Sequence, residues 1–330
     1  GLAFFGAVIK RGAVQAIRDF GGYSQIHCFK HRKEKARTAS LELKINLQGD
    51  DCHYWIKIHQ MDGKPLLEEK LLVNNKLVLQ SEKKGGASFY DVTEKEKQNL
   101  PDFSAEMSVL MLFSSRPLYQ FLTNIRVFRF DPIGAKEPDS LTADESMLDT
   151  HGRNVATMLS VLEKNTVFRE QITEWIELLV PSMERVSTKK QALDGTTVIT
   201  FKEEGIRASF PARLISDGTI YVLCIITAIL SRSDKLGFTI IEEPERGIHP
   251  NAIAELVSLM REFSLVEHPV FVTTHCESVV RSSQPKELWL VNKIEGKTRL
   301  KNAQYTGVDL GDLNLDKAWL MNLFDGGLPW

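Results

Sequence analysis

A chain of 330 residues, 43% hydrophobic and 25% charged, is long enough for one large or two ordinary globular domains and too apolar for a disordered chain. Its formal charge of −2 supplies no global field for nucleic acid, so any such contact would need a local patch. Four cysteines (Cys28, Cys52, Cys224, Cys276) show no CxxC spacing, no apolar run approaches the roughly 18 residues of a membrane span, and no signal-peptide pattern opens the chain. Together these predict a cytoplasmic protein with reduced thiols and no membrane partner.

The first stretch, LAFFGAVIKRGAVQAIRDF, spaces its apolar residues three and four apart and reads as one helix already under way, with no N-cap before it. Past Gly21 and Gly22, HCFKHRKEKAR carries Lys30, Arg32, Lys33, Lys35 and Arg37; it is either a patch for a nucleic-acid backbone or a solvated loop. LELKINL, HYWIKIHQ, LLEEKLLV, KLVLQSE and ASFYDV then follow one another with short polar turns, which predicts antiparallel hairpins over residues 40–92. From Glu94 to about Ser187 the spacing is helical in SAEMSVLMLF, RPLYQFLTNI, NVATMLSVLEKN and FREQITEWIELLV, interrupted by an isolated strand, RVFRFDP, and a long polar loop. A β pair, ALDGTTVITFKEE with IRASFPARL, leads into a helix over Thr219–Ser231, strand GFTIIEE, helix NAIAELVSLMREF, strand PVFVTTH and strand ELWLVNK. Apolar strands alternating with helices predict an α/β fold with a parallel sheet covered on both faces. The expected domains are 1–93 (opening helix and antiparallel β subdomain), 94–195 (helical insert), 196–296 (core lobe) and 297–330 (C-terminal tail).

Three motifs in the core lobe carry chemistry. In FTIIEEPERGIHP a buried strand ends in Glu242 and Glu243 before Pro244, which puts two carboxylates at the C-terminal edge of a parallel sheet, where open α/β folds bind ligands. One would hold Mg²⁺ through its waters and the other would orient or deprotonate a water attacking a terminal phosphate. The same residues also fit a strand ending in solvated acids, or a hydrolase turn pairing Glu245 with His249 on a metal, although Gly247 and Pro250 disfavour a regular helix there. In LISDGT, Ser216 or Asp217 would cap the following helix, and its exposed N–H groups and Gly218 would admit a phosphate; the plain alternative is an ordinary N-cap. His275, ending VFVTTH, would hydrogen-bond that phosphate or its attacking water, or else would be a satisfied strand-end histidine.

The order SDGT, EEPERGIHP, TTH resembles the C-terminal half of an ABC-type ATPase head, of the prokaryotic "AAA family ATPase" group related to the SMC, RecF and overcoming-lysogenization-defect proteins. RVFRFDP, DTHGRNVATML and the segment from Gly307 to Trp330 echo the same group. The resemblance implies an ABC-type ATPase head with a mostly parallel core sheet, an antiparallel β subdomain and a helical insert, using ATP and Mg²⁺. It implies that Ser216, Asp217, Gly218 and Thr219 form the signature touching ATP on a partner subunit, that Glu242 is the Walker B metal carboxylate and that Glu243 is the general base. Glu245 to His249 would be the loop signalling across the dimer, and His275 the switch histidine. It further implies a homodimer with ATP sandwiched between protomers, controlling an effector such as a nuclease in prokaryotic defence or DNA maintenance, with DNA as a further possible partner.

The sequence departs from that pattern in one respect. No GxxxxGK[ST] phosphate loop occurs in it, and without that backbone cradle and lysine triphosphate affinity falls severely. The family places the loop just before the helix with which this chain opens, so the expectation is that it precedes Gly1; the alternative is a degenerate head serving as a non-catalytic scaffold. The glutamine loop that the resemblance implies is not assigned, Gln25 being no more than a candidate for it, and no DxD-type cluster outside these motifs marks a nuclease.

Overall fold

The computed structural model describes residues 1–27, 37–91 and 96–327, so the basic stretch that begins at His27 lies almost wholly outside the described residues, as do Leu328, Pro329 and Trp330. The chain divides into two compact units, Gly1–Arg126 with Leu236–Phe238, and Val127–Lys235 with Thr239–Trp330.

The first unit opens with helices α1 (Leu2–Arg11), α2 (Ala13–Asp19) and the single turn α3 (Tyr23–Ile26). The expected continuous helix is therefore broken at Gly12, which adopts φ +83°; a Cβ there would lie 2.6 Å from Met107 Sδ and 3.0 Å from the Glu106 carbonyl oxygen. Glycine allows both the left-handed backbone and the close approach. Strands β1 (Ala39–Leu47), β2 (Asp50–His59), β3 (Leu66–Val73), β4 (Lys76–Ser81), β5 (Ala87–Asp91) and β6 (Glu96–Leu100) form an antiparallel sheet in sequence order. In β2, Tyr54, Ile56 and Ile58 alternate inward onto α1, α2 and α4 (Pro117–Thr123), as a half-buried strand requires. The stretch from Glu94 is not helical at its start: the polar EKQNL of β6 is held extended by its pairing with β5, Ala87 opposite Leu100.

The second unit is centred on α8 (Asp217–Leu230), in which every residue from Thr219 to Leu230 is buried. An all-round apolar helix is stable only when neighbours enclose it. Here they are α5 (Pro132–Ala135), α6 (Val155–Leu162), α7 (Thr166–Leu179) and α9 (Ile253–Glu262), which share one core with it. Beside them lie the antiparallel strands β8 (Met183–Lys190), β9 (Thr197–Glu203) and β10 (Ser209–Pro211), and the core sheet ordered β12 (Val270–Thr273), β11 (Phe238–Glu242), β7 (Ile125–Phe128). Strands β11 and β12 are parallel, with Glu242 opposite Thr273. RVFRFDP is thus not isolated, since its strand joins β11 in the core sheet.

ELWLVNK leaves the parallel sheet. Its strand β13 (Trp289–Ile294) pairs antiparallel with β14 (Lys297–Asn302) in a separate hairpin, because Glu295 and Gly296 both take positive φ, +50° and +74°, and reverse the chain. Helices α10 (Glu277–Ser282) and α11 (Leu315–Leu320) share a small core with this hairpin, formed by Val280, Leu290, Ala303, Leu315, Ala318, Trp319 and Phe324. Arg281 and the buried Asp316 form an ion pair of 2.6 Å that ties α10 to α11. Among the described residues, no helix is long and apolar enough to cross a membrane.

Candidate functional site

Ser216 caps α8 as its spacing predicts: the Oγ accepts from the Thr219 N–H (3.2 Å) and pairs with Thr219 Oγ1 at 2.8 Å. Thr219 is buried with its hydroxyl engaged in that pair, while Ser216 and Asp217 stay exposed at the positive end of the helix dipole. Asp217 is held at 2.5 Å by Lys136, which follows α5. A Cβ on Gly218 would sit 2.0 Å from the carbonyl oxygen of Gly247, so the first turn of α8 and the loop after the acid pair approach to a separation that only glycine permits.

At the end of β11 the side chain of Glu242 is partly exposed, and Glu243 is exposed with φ +47°. A left-handed backbone costs a non-glycine residue roughly 1–2 kcal/mol, so something must hold it. The Glu243 N–H donates to the Thr273 carbonyl (2.8 Å), and the Tyr221 hydroxyl, from the second turn of α8, donates to the carbonyls of Glu242 (3.0 Å) and Glu243 (3.1 Å). Burial pushes the Tyr221 phenol up to about 12, with the nearby Arg246 opposing and Glu245 reinforcing the shift. The hydroxyl therefore keeps its proton, and remains a donor to the acid pair, throughout the neutral range.

Beyond Pro244, Glu245 Oε1 accepts from Thr274 Oγ1 at 2.7 Å, while Oε2 is buried without a partner. His249 is exposed, and its Nδ1 accepts from the Asn251 N–H (3.3 Å) to cap a short 3₁₀ turn over Pro250–Ala252. Glu245 and His249 thus have separate hydrogen-bond partners rather than a common ligand position. His275 is exposed in the short link between β12 and α10. The structure brings the three motifs together through Tyr221, the Gly218–Gly247 approach and the Glu245–Thr274 bond. Gln25, in α3, belongs to the other unit.

Two cations escaped the sequence reading. Arg129 Nε lies 3.8 Å from Glu242 Oε2, an exposed and therefore weak pair, and Lys136 holds Asp217. Alternation was the available signal: Phe128 and Phe130 are both buried, which sends Arg129 to the opposite side at the end of β7. Pro132 and the Asp131 cap then start α5 and lead to Lys136.

A family profile described as "AAA domain, putative AbiEii toxin, Type IV TA system" matches residues 15–280. No curated protein matches the chain. Among solved structures, an Smc head bound to the C-winged helix domain of ScpA superposes with a TM-score of 0.54 at 11% identity, covering 91% of this chain and 84% of that one. The SMC head domain from Thermotoga maritima gives 0.44 at 14% identity over 85% and 80% of the two chains. The head of Pyrococcus furiosus Smc with an extended coiled coil, bound to the C-terminal domain of ScpA, gives 0.44 at 10% over 97% and 88%. At such identities the likeness is one of fold, and it is the first match that shows it. With a profile covering most of its length, the chain belongs to the family described as "AAA domain, putative AbiEii toxin, Type IV TA system", and its fold is that of an SMC-like, ABC-type ATPase head.

Proposed function

We propose that this head binds ATP with Mg²⁺ and hydrolyses it, and that a second copy completes the site. The observation supporting this most directly is that Tyr221, one turn into the capped helix, holds the main chain of both Glu242 and Glu243. The residues fit the implied groups. The exposed start of α8 at Ser216 and Asp217 offers an anion the positive end of the helix dipole, although the Gly247 carbonyl covers Gly218 itself, and Glu242 offers a partly exposed carboxylate to a hydrated cation. Among the described residues, no group of three or more His, Cys, Asp or Glu side chains could hold a metal alone, so the phosphates would complete its coordination.

In this reading Mg²⁺ neutralises charge on the phosphates when bound, and the chain's residues do the rest. Glu243, exposed and fixed by its neighbours, takes the proton of the attacking water. His275 donates a hydrogen bond to the terminal phosphate. Ser216, Asp217, Gly218 and Thr219 present the start of α8 to nucleotide carried by the partner copy, and Glu245 to His249 report on that contact. A separate monomer would then be nearly inactive. The effector is a partner protein, such as a nuclease, in prokaryotic defence or DNA maintenance within the cytoplasm; a family description that names a type IV toxin–antitoxin system supports the defence reading. DNA remains a candidate partner through the basic segment after His27.

Steady-state ATP turnover of the intact protein, its Glu243→Gln variant and Ser216→Arg tests this. Loss in each single variant, with partial recovery when the two are mixed, is expected of a shared site. Equal and negligible turnover in all samples would favour a scaffold, a reading that the missing GxxxxGK[ST] keeps open.

A further inference from the structure

His275 has no regular element of its own to hold it; it is the middle residue of the link between β12 and α10. The hydroxyl of the preceding residue brackets it. Thr274 Oγ1 donates to Glu245 Oε1 at 2.7 Å and accepts the Cys276 N–H at 2.9 Å. A threonine that merely closed a turn would need only the Cys276 bond. The other bond runs to a residue 29 positions earlier, on a loop fixed by its own Ile248 N–H to Glu245 carbonyl bond (3.1 Å) and lying, at Gly247, against Gly218 in α8.

We propose that Thr274 is a positioning residue: through Glu245 it tethers the His275 link to loop 244–249, so that the contact made by this loop at the first turn of α8 sets where the imidazole stands. The inference rests on the ATPase reading and adds to it a role for a hydroxyl that the motifs leave without one. Among the described residues Oε2 of Glu245 is buried without a partner and Oε1 accepts from Thr274, so removing the hydroxyl leaves the carboxylate free to turn.

Nuclear magnetic resonance of the isotope-labelled histidines, with His275 assigned by the signal lost in His275→Gln, reads the tether directly. Glu245→Ala should displace the His275 ring signal, and should displace it no further in a Thr274→Val background, while Thr274→Ser keeps the wild-type position. Additive displacements, or none from Glu245→Ala, overturn the proposal. Should Glu245→Ala fail to fold, Glu245→Met, which has nearly the volume of glutamate and no side-chain oxygen to accept from Thr274, takes its place in the cycle. In the intact protein, Thr274→Val should lower kcat for ATP about 10²-fold with KM little changed, and Thr274→Ser should restore it; equal losses in both variants also overturn the proposal. Absence of turnover in the wild type would end the ATPase reading, while the histidine spectra would still decide whether the tether exists.

Discussion

Glu69, within strand β3, and Glu243, the first residue past strand β11, are built in opposite ways. Glu69, in β3, is 1% exposed and accepts from the Tyr54 hydroxyl (2.7 Å), the Ser108 hydroxyl (2.8 Å) and the Val109 N–H. Glu243 has its main chain fixed at both ends of the residue and its carboxylate exposed, on a backbone that glutamate rarely adopts. One acid joins β3 to the turn that begins at Val109; the other spends fixed geometry on a group left open to solvent. Satisfied burial makes Glu69 structural, and the constrained exposure of Glu243 is what the proposed catalytic role requires.

The sharpest way to break this contrast is Glu243→Gln, which should cut ATP turnover about 10³-fold, the scale of a lost general base, and leave thermal unfolding unchanged. A large fall in melting temperature would show Glu243 to be structural after all. The reverse is expected of Glu69→Ala. Three buried donors lose their acceptor, costing about 3 kcal/mol or more in urea unfolding, with no change in activity beyond that of the lost folded fraction. Burial raises the Glu69 carboxyl above its ordinary value despite these donors. A raised folded-state value favours the protonated form, so its stabilising share is present below the unfolded-state value and is lost as pH rises through the folded one. The stability gap between wild type and Glu69→Gln should therefore narrow as pH rises from the ordinary carboxylate range through the raised Glu69 value; a widening gap would mean the donors outweigh burial.

Two smaller effects sharpen the description of the site side of the comparison. Gly218→Ala drives a Cβ into the Gly247 carbonyl and should cost about 2 kcal/mol, read by thermal melting, because backbone must move. Ser216→Ala removes the α8 cap and should cost about 1 kcal/mol. If Gly218→Ala proves milder than Ser216→Ala, the loop after Pro244 yields easily and the two motifs are less firmly joined than described.

Motif chemistry and periodicity were legible where side chains decide the outcome. The strands β1 to β5, the cap at Ser216 and the acids at the end of β11 all follow from local pattern. What was lost depends on neighbours. EKQNL and MERVSTKK have no apolar alternation and become β6 and β8 only because β5 and β9 pair with them. The hairpin of β13 carried its signal in Glu295-Gly296, a turn that takes precedence over the apolar run before it. At the site, Tyr221 and Thr274 looked like core helix and strand end, since a hydroxyl's partner 22 or 29 positions away leaves no local trace.

The pair of Arg281 with Asp316 gives the last part of the described chain a mechanical meaning. Side-chain hydrogen bonding and charge from Arg281 hold the Asp316 carboxyl below its ordinary value, so this clasp stays ionised through mild acid. Helix α10, which it grips, begins two residues after His275 and contributes Val280 to the same small core as Trp319 and Phe324. A displacement of the β13–β14 hairpin or α11 is thus passed to α10 through the clasp and the shared core, and α10 is joined to His275 by Cys276 alone.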